Sequence, residues 1–444
     1  MTPAQHPPER PGNQAELLVG GQNYFPAVLA ALQSATREIR VETYIFANDE
    51  VGMAVCKALC DASLRGVHVR VVIDGFGGQE GVEHHVPALR RAGVHVRVFR
   101  PERSKLRLSA SRLRRLHRKL IAVDRQLAFV GGINLIDDLN HEDEQHELRM
   151  AELREHQAYV HILAGAAGLS QRVQEARVEG EPMGPRYDFA VRLQGPVVQD
   201  VWNAMQWLWW QVGPRGKVTD TFTARWWRLR RERLARFLAE DDALGPVPPA
   251  GAMRTQLVLR DNFRFRRRIE RAYIQALKQA HTSVVLANAY FLPSRRLRHA
   301  LYDARARGVV VQVLVQGRVE YPFQHYATQH LYDELLDHGV QVYEYMPSFL
   351  HAKVAVVDSW WATVGSSNLD PLSTLFAREA NIVVQHRQFA QQLKAELLRA
   401  IEHDARVVDT DWSARRSWRA RAMSWLCYKL AVLAVLITAW GSRY

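Results

Sequence analysis

Two histidine–lysine pairs stand in matched surroundings in this 444-residue chain. Residues 116–134 read LHRKLIAVDRQLAFVGGIN, and residues 350–368 read LHAKVAVVDSWWATVGSSN. His117, Lys119, Asp124, Gly131 and Asn134 align with His351, Lys353, Asp358, Gly365 and Asn368 without a gap. In a strand, a period of two puts the imidazole and the ammonium of each copy on one face and turns their apolar neighbours to the core. Such a pair suits attack on a phosphodiester. The lysine neutralises the non-bridging oxygens while a neutral imidazole adds to phosphorus. One His-x-Lys strand is explained equally well by packing, but two gapless copies supply a nucleophile and an acid.

The elements that must position these pairs recur in the same order before each copy. The first is preceded by a helix at 24–35, a strand at 39–46, a helix at 52–64 closed by Gly66, a strand at 67–73, a helix at 86–92 closed by Gly93, and a strand at 94–99. The second follows a strand at 283–290, a helix at 297–307 with Gly308, a strand at 309–315, a helix at 331–338 with Gly339, and a strand at 340–345. A glycine at each of these helix ends supplies the left-handed residue that lets the chain turn into a strand. Helices alternating with apolar strands predict an α/β architecture with mainly parallel pairing. The chain divides into a frayed, polar, proline-rich tail at 1–14, a first lobe at 15–215, a connector and linker rich in Trp and Arg at 216–252, a second lobe at 253–410, and a basic, apolar C-terminal segment at 411–444.

At 444 residues with 48% hydrophobic content, the chain can build a core in each lobe. Lysine and arginine number 59 against 46 acidic residues, so a net charge of +13 directs the molecule to polyanions, either anionic lipid surfaces or nucleic acid. The three cysteines, Cys56, Cys60 and Cys427, make no zinc pattern, and their odd number argues against a disulfide framework and for a reducing cytoplasmic side. The N-terminus has no basic region followed by an apolar run, so it is not read as a secretory signal. Ahead of the first motif lies a basic insertion with Arg100, Arg103, Lys105, Arg107, Arg112, Arg114 and Arg115, placed to attract an anionic headgroup. Trp202, Trp207, Trp209 and Trp210, then Trp226 and Trp227, combine with arginines in a way that suits the boundary between headgroups and acyl chains. After Thr410, four arginines precede an apolar run from Leu430 to Trp440, too short for a comfortable span and suited to shallow insertion. His141, Asp143, His146 and Glu147 have the spacing of a solvated helix face, and no metal site is assigned to them.

The duplicated pattern resembles the phospholipase D superfamily, whose signature is His-x-Lys, then Asp at this spacing, a Gly-rich turn and Asn. The flanking segments VETYIFANDEVG, ANAYFLP and VGSSNLDPLS narrow the resemblance to bacterial cardiolipin synthases of the B type, from which the segment at 138–177 departs as an insertion. The resemblance implies two phospholipase D-like α/β lobes forming a pseudo-dimer with one shared active-site cleft. It implies a catalytic set of His117, Lys119, Asp124, His351, Lys353 and Asp358, with Asn134 and Asn368 helping the lysines hold the phosphate. Asp124 and Asp358 close their strands at turns, however, and read as structural rather than reactive. The family uses acidic residues at the places of Asp188 and Glu379 to orient its histidines, and which carboxylate serves which imidazole stays open. One histidine, His117 in the simplest assignment, forms a phosphohistidine while the other protonates the leaving group; the roles are exchangeable. The implied reaction is phosphatidyl transfer between two phosphatidylglycerols, giving cardiolipin and glycerol without cofactor or metal. A hydrolytic phospholipase D, a nuclease, and a membrane scaffold with a relict site are the alternatives. The implied partners are phospholipids and an anionic membrane surface rather than nucleic acid, at the cytoplasmic side of a bacterial inner membrane, peripheral or shallowly inserted.

Overall fold

The computed structural model describes residues 7–101, 114–137, 185–213, 245–261, 265–370, 373, 377–412 and 414–440. The first half runs β1 (Arg10–Val19), α1 (Gly20–Ser34), β2 (Glu38–Thr43), α2 (Glu50–Leu64), β3 (His68–Asp74), α3 (Gln79–Arg91), β4 (His95–Phe99), β5 (Arg115–Leu116), β6 (Lys119–Val123), β7 (Leu127–Gly131), β8 (Phe189–Gln194) and α4 (Val197–Gln211). The second half runs β9 (Met253–Arg260), α5 (Arg268–Lys278), β10 (Ser283–Asn288), α6 (Arg295–Ala306), β11 (Val310–Gln316), α7 (Pro322–Gln329), α8 (Tyr332–Asp337), β12 (Gln341–Tyr345), β13 (Lys353–Val357), β14 (Trp361–Gly365), β15 (Ala377–Gln385), α9 (Arg387–His403), β16 (Ala405–Val408) and α10 (Trp418–Trp440).

These strands form one sheet in the order β16-β12-β11-β10-β13-β14-β15-β9-β1-β8-β7-β6-β2-β3-β4, with β5 pairing β15 off that path. Outward from the β9–β1 contact the halves repeat each other. β1, β8, β7, β6, β2, β3 and β4 on one side answer β9, β15, β14, β13, β10, β11 and β12 on the other, and β16 extends the far edge. The expectation of mainly parallel pairing is corrected. Among the described strands, parallel pairing is confined to β2–β3–β4, β10–β11–β12 and the short β5–β15 pair. Between them, β6–β7–β8 and β13–β14–β15 are antiparallel. The cause is local: Asp124 and Arg125, and again Asp358 and Ser359, take positive φ of 50–59°, and such turns return a strand directly alongside itself.

The stretch read as a tail through residue 14 is also corrected, because β1 starts at Arg10 and lies next to β9 at the middle of the sheet, where the two halves meet. Arg10 donates to both carboxylate oxygens of Asp200 at 2.7 and 2.8 Å. Buried Asn13 accepts from the Val197 amide at 2.8 Å, and β1 pairs both β8 and β9. Its sequence, RPGNQAELLV, alternates only weakly, so its placement comes from partners distant in sequence.

Both faces of the sheet are covered. In β6, Ile121 and Val123 join the core under α1–α3, whereas Leu120 and Ala122 face α4; in β13, Ala355 and Val357 face α5–α8, and Val354 and Val356 face α9. The core beneath α4 and α9 is continuous across the two halves. Trp202 and Trp209, expected at a lipid boundary, instead stack under Arg40 at 3.7 Å and Arg97 at 3.9 Å. Arg103, Lys105, Arg107, Arg112, the segment 138–177 with His141, Asp143, His146 and Glu147, and Trp226 and Trp227 lie outside the described residues.

Candidate active site

Each motif histidine sits just ahead of its motif strand, where the backbone crosses to the other half. The His117 amide donates to the Arg378 carbonyl at 3.0 Å, beside the β5–β15 pair. The His351 amide donates to the Tyr187 carbonyl, also at 3.0 Å, beside the Tyr187–Leu350 bridge. The preceding amide is pinned in both copies by the last residue of a parallel strand. Leu116 N donates to Asp74 Oδ2 at 2.8 Å, and Leu350 N donates to Gln316 Oε1.

The segments reached by this crossing carry the carboxylates. Nδ1 of His117 lies 3.0 and 3.1 Å from Glu379 Oε1 and Oε2, and Nδ1 of His351 lies 2.6 Å from Asp188 Oδ2. Each half thus supplies the acid that orients the other half's histidine, the pairing that residue spacing left open. With Nδ1 engaged, Nε2 of each ring is the nitrogen that can meet phosphorus. Lys119 Nζ donates to the His117 carbonyl at 3.0 Å, and Lys353 Nζ donates to the His351 carbonyl and lies 4.0 Å from Asp188. The Tyr44 ring packs edge-on to His117 at 4.9 Å. Asn134 and Asn368 are both buried. Asn134 Oδ1 accepts from Ile45 N at 3.3 Å, while Asn368 Oδ1 has no hydrogen-bond partner among the described residues.

Asp124 and Asp358 do not join this centre, and their inclusion among the catalytic groups is corrected. Asp124 lies five residues along the strand from Lys119, about 16 Å at a rise of ~3.3 Å per residue. Its oxygens accept from the amides of Thr36, Arg37 and Glu38, each at 2.8 Å. Asp358 accepts from the amides of His281, Thr282 and Ser283 at 2.7–2.9 Å. Partial burial would raise both carboxyls, but the hydrogen bonds from these amides together outweigh it and hold them below the usual range. Each aspartate ties its hairpin turn to the start of the neighbouring strand.

Burial governs the charges at the centre. It depresses His117 to about 4, with Lys119 and Lys353 adding to the effect against the pull of Glu379. His351 is lowered well below its ordinary value by burial, then by Lys353, Arg186, Lys119 and His117. Each imidazole therefore feels the other half's lysine, as expected of one shared cleft. Burial pushes Asp188 up to about 6 despite Lys353, and it lowers Lys353 to about 8. Burial would raise Glu379 too, but the His117 contact, Arg260 and Lys119 outweigh it and hold the carboxyl at about 2. The two acids differ: Glu379 stays ionised, whereas Asp188 and His351 form a coupled pair that retains one proton up to about pH 6.

Several supporting residues carried no signal in sequence. Arg260 reaches Glu379 at 3.3 Å, Ser373 donates to it at 2.9 Å, and the Ser366 hydroxyl also donates to it. Position 132 in the first copy corresponds to Ser366, and glycine is required there because a Cβ would lie 2.3 Å from Asp188 Oδ1. The contrast between GG and GSS in the two motifs was visible, but its meaning depended on the two acids. No group of three or more His, Cys, Asp or Glu is placed to hold a metal among the described residues.

A duplicated α/β lobe with one His-Lys pair per half and carboxylates exchanged across the interface defines a two-lobed phosphodiester-transfer enzyme of the phospholipase D type. The family profile described as "Cardiolipin synthase, PLD-like domain" matches residues 28–151 and again 273–401. The chain belongs to that family. It is 36% identical over 409 residues to cardiolipin synthase B of Salmonella typhi and 35% identical to that of Escherichia coli K12, covering 92% of this chain and 85% of each relative. It is 27% identical to a cardiolipin synthase of Geobacillus sp. WCH70, over 92% of this chain and 70% of that one. Among solved structures, a phosphatidylserine synthase of Haemophilus influenzae superposes with a TM-score of 0.63 at 13% identity, covering 96% of this chain and 95% of that one, a likeness of fold.

Proposed function

We propose that the protein is a membrane-associated cardiolipin synthase that transfers a phosphatidyl group from one phosphatidylglycerol to another. The observation that carries this reading is the reciprocal carboxylate exchange, which makes one cleft from two histidines, each held by the acid of the other half. His117 is neutral at pH 7, its Nδ1–H given to ionised Glu379, so Nε2 can attack phosphorus. The P–N bond forms as the bond to glycerol breaks, and His351 gives the leaving oxygen its proton. An incoming phosphodiester adds negative charge beside the Asp188–His351 pair and favours the protonated imidazole there. Lys119, Lys353, Asn134 and Asn368 hold the non-bridging oxygens. In the second step the hydroxyl of another phosphatidylglycerol gives its proton to His351 and displaces His117. One phosphodiester is made as one is broken.

The phospholipid substrates and the anionic membrane surface belong together in this reading. No helix among the described residues is long and apolar enough to cross a membrane. In α10, Ser424, Cys427 and Ala431 are buried, while Trp418, Trp425 and Leu433 are exposed. We assign the segment 411–444 to shallow attachment at the cytoplasmic face of the inner membrane, with lobes at 10–215 and 253–410. Incubating the purified chain with phosphatidylglycerol labelled in its glycerol headgroup tests the reaction. Cardiolipin and free labelled glycerol are expected; phosphatidic acid as the sole lipid product would make the enzyme a hydrolase.

A further inference from the structure

The two motif asparagines are held differently. In the first half, Asn134 Oδ1 accepts from the Ile45 amide at 3.3 Å, and the Ile45 carbonyl accepts from Leu135 N at 3.3 Å and from the Thr43 hydroxyl at 2.6 Å. A backbone amide that takes the side-chain oxygen fixes which way the Asn134 NH2 group points. In the second half, Asn368 Oδ1 is buried and has no hydrogen-bond partner among the described residues, so no such bond orients its amide there.

The difference originates in the residue that ends the strand beside each motif strand. Thr43 closes β2 and Asn288 closes β10. Phe46 and Phe291 follow them at the same distance along the chain and bridge Leu135 and Leu369, so the two places correspond. Asn288 Oδ1 accepts from Leu369 N at 3.2 Å, in place of the backbone carbonyl that serves Leu135. That bond identifies the Asn288 oxygen, because an amide N–H needs an acceptor, and it leaves Nδ2 as a donor. Asn288 is fully buried, and its Nδ2 has no hydrogen-bond partner among the described residues. Asn288 also stands directly opposite Lys353 in the β10–β13 pair, which puts both side chains on one face of the sheet. An unmet donor therefore sits on the residue that holds the Leu369 amide, and an unmet acceptor sits on Asn368, the neighbour of Leu369. Buried groups of this sort cost free energy until they are bonded, and these two are complementary.

Resting on the assignment of Asn368 to the phosphate, we infer that Asn288 is a positioning residue that donates from Nδ2 to Asn368 Oδ1 and so turns the Asn368 NH2 group to a non-bridging oxygen. It does for the second motif what the Ile45 amide does for the first. The two groups are not bonded to each other in the structure, and hydrogen bonds in active sites often close only in the substrate complex.

A double-mutant cycle on the full-length enzyme tests this, with release of glycerol from phosphatidylglycerol in detergent micelles as the readout. Glycerol leaves in the first step whether a lipid alcohol or water follows, so the cycle reads the phosphate site, and the lipid product separately reads the transferase assignment. Asn368→Ala should lower kcat/KM about 10²-fold, the effect of losing one donor to a developing anion. Asn288→Ala should lower it about tenfold in the wild-type chain but less than about twofold in Asn368→Ala, because the two residues act as one unit. Asn288→Thr installs the first half's residue, whose hydroxyl goes there to a backbone carbonyl, and should behave as Asn288→Ala; it serves where alanine destabilises the fold. Equal falls in both backgrounds would overturn the coupling, as would wild-type kcat/KM in both Asn288 variants or loss of native circular dichroism in both. Wild-type turnover in Asn368→Ala would take Asn368 off the phosphate and the inference with it. Phosphatidic acid as the sole lipid product, beside the expected coupling, would fail the transferase reading alone.

Discussion

At the residue scale, the site depends on two carboxylates that are chemically alike and electrostatically unlike. Glu379 is surrounded by Arg260, Ser366 and Ser373, whereas the Asp188–His351 pair sits beside Lys353. Glu379→Gln and Asp188→Asn should each lower kcat by about 10²-fold or more, since each removes the charge beside the imidazole and adds an NH2 that can turn to Nδ1 and impose the other tautomer. The KM for lipid should change little; turnover near wild type in either variant would remove that carboxylate from its assigned role. The pH dependence follows from the same groups. The free enzyme needs His117 neutral, which holds above about 4, and one proton on the Asp188–His351 pair, which is lost above about 6. The kcat/KM profile should peak between these values and fall about tenfold per unit above the upper one, while the kcat profile, with the phosphodiester bound, lies at higher pH. A kcat/KM that instead rises through pH 6.5 would show an ordinary exposed histidine base. The histidines and lysines were legible because a gapless repeat is improbable by chance. The acids could be placed by position, but not paired, because the pairing crosses between halves separated in the chain.

At the scale of elements, the period-two alternation of β6 and β13 and the glycines after α2, α3, α6 and α8 were readable locally; the strands and α2, α6 and α8 fall close to where they were expected, whereas α3 begins at Gln79, well before the expected 86, because only its C-terminal glycine was marked in the sequence. β1 was not, because its hydrogen bonds come from β8 and β9, far along the chain. The antiparallel return of β7 and β14 was hidden for a different reason: helix–strand alternation suggested crossovers, while the Asp-Arg and Asp-Ser turns made hairpins. The turn after β7 shows how tightly the elements constrain the site. Introducing Ser at Gly132, to copy the second motif, puts a Cβ against Asp188 and must displace it. Displacements of 1 Å can cost about 10²-fold in rate, so Gly132→Ser should lose at least that in kcat while circular dichroism stays native. Ser366→Gly, which removes only one of several donors to Glu379, should lose about tenfold or less. The reverse order of severity would mean that the two turns do not follow the repeat.

At the scale of the whole molecule, the net charge of +13 indicated a polyanionic partner, and the C-terminal segment shows how part of that charge is displayed. α10 is anchored to the second half. Arg416 bonds Gln329 at 2.7 Å and Ser424 at 2.9 Å, and the His330 and Tyr428 rings lie 4.6 Å apart. The opposite side carries exposed Trp418, Arg421, Trp425, Lys429 and Leu433, spaced to share one helix face. Arg419 lies 5.6 Å from the Trp418 ring and Lys429 lies 5.8 Å from the Trp425 ring, so indoles and cations are presented together. A shallowly bound face of this kind gains from apolar insertion and about 1 kcal/mol per basic residue near an anionic surface. Replacing Trp418 and Trp425 together with alanine should weaken flotation on phosphatidylglycerol vesicles at low and at high salt, because the apolar contribution is not screened. Replacing Arg421 and Lys429 with glutamine should weaken flotation chiefly at low salt, where exposed charges act over about 10 Å. Neither pair contacts the docking side, so thermal unfolding should stay close to wild type and separate lost binding from lost folding. Undiminished flotation of both double variants would transfer membrane attachment to another surface and leave α10 as packing for the second half alone.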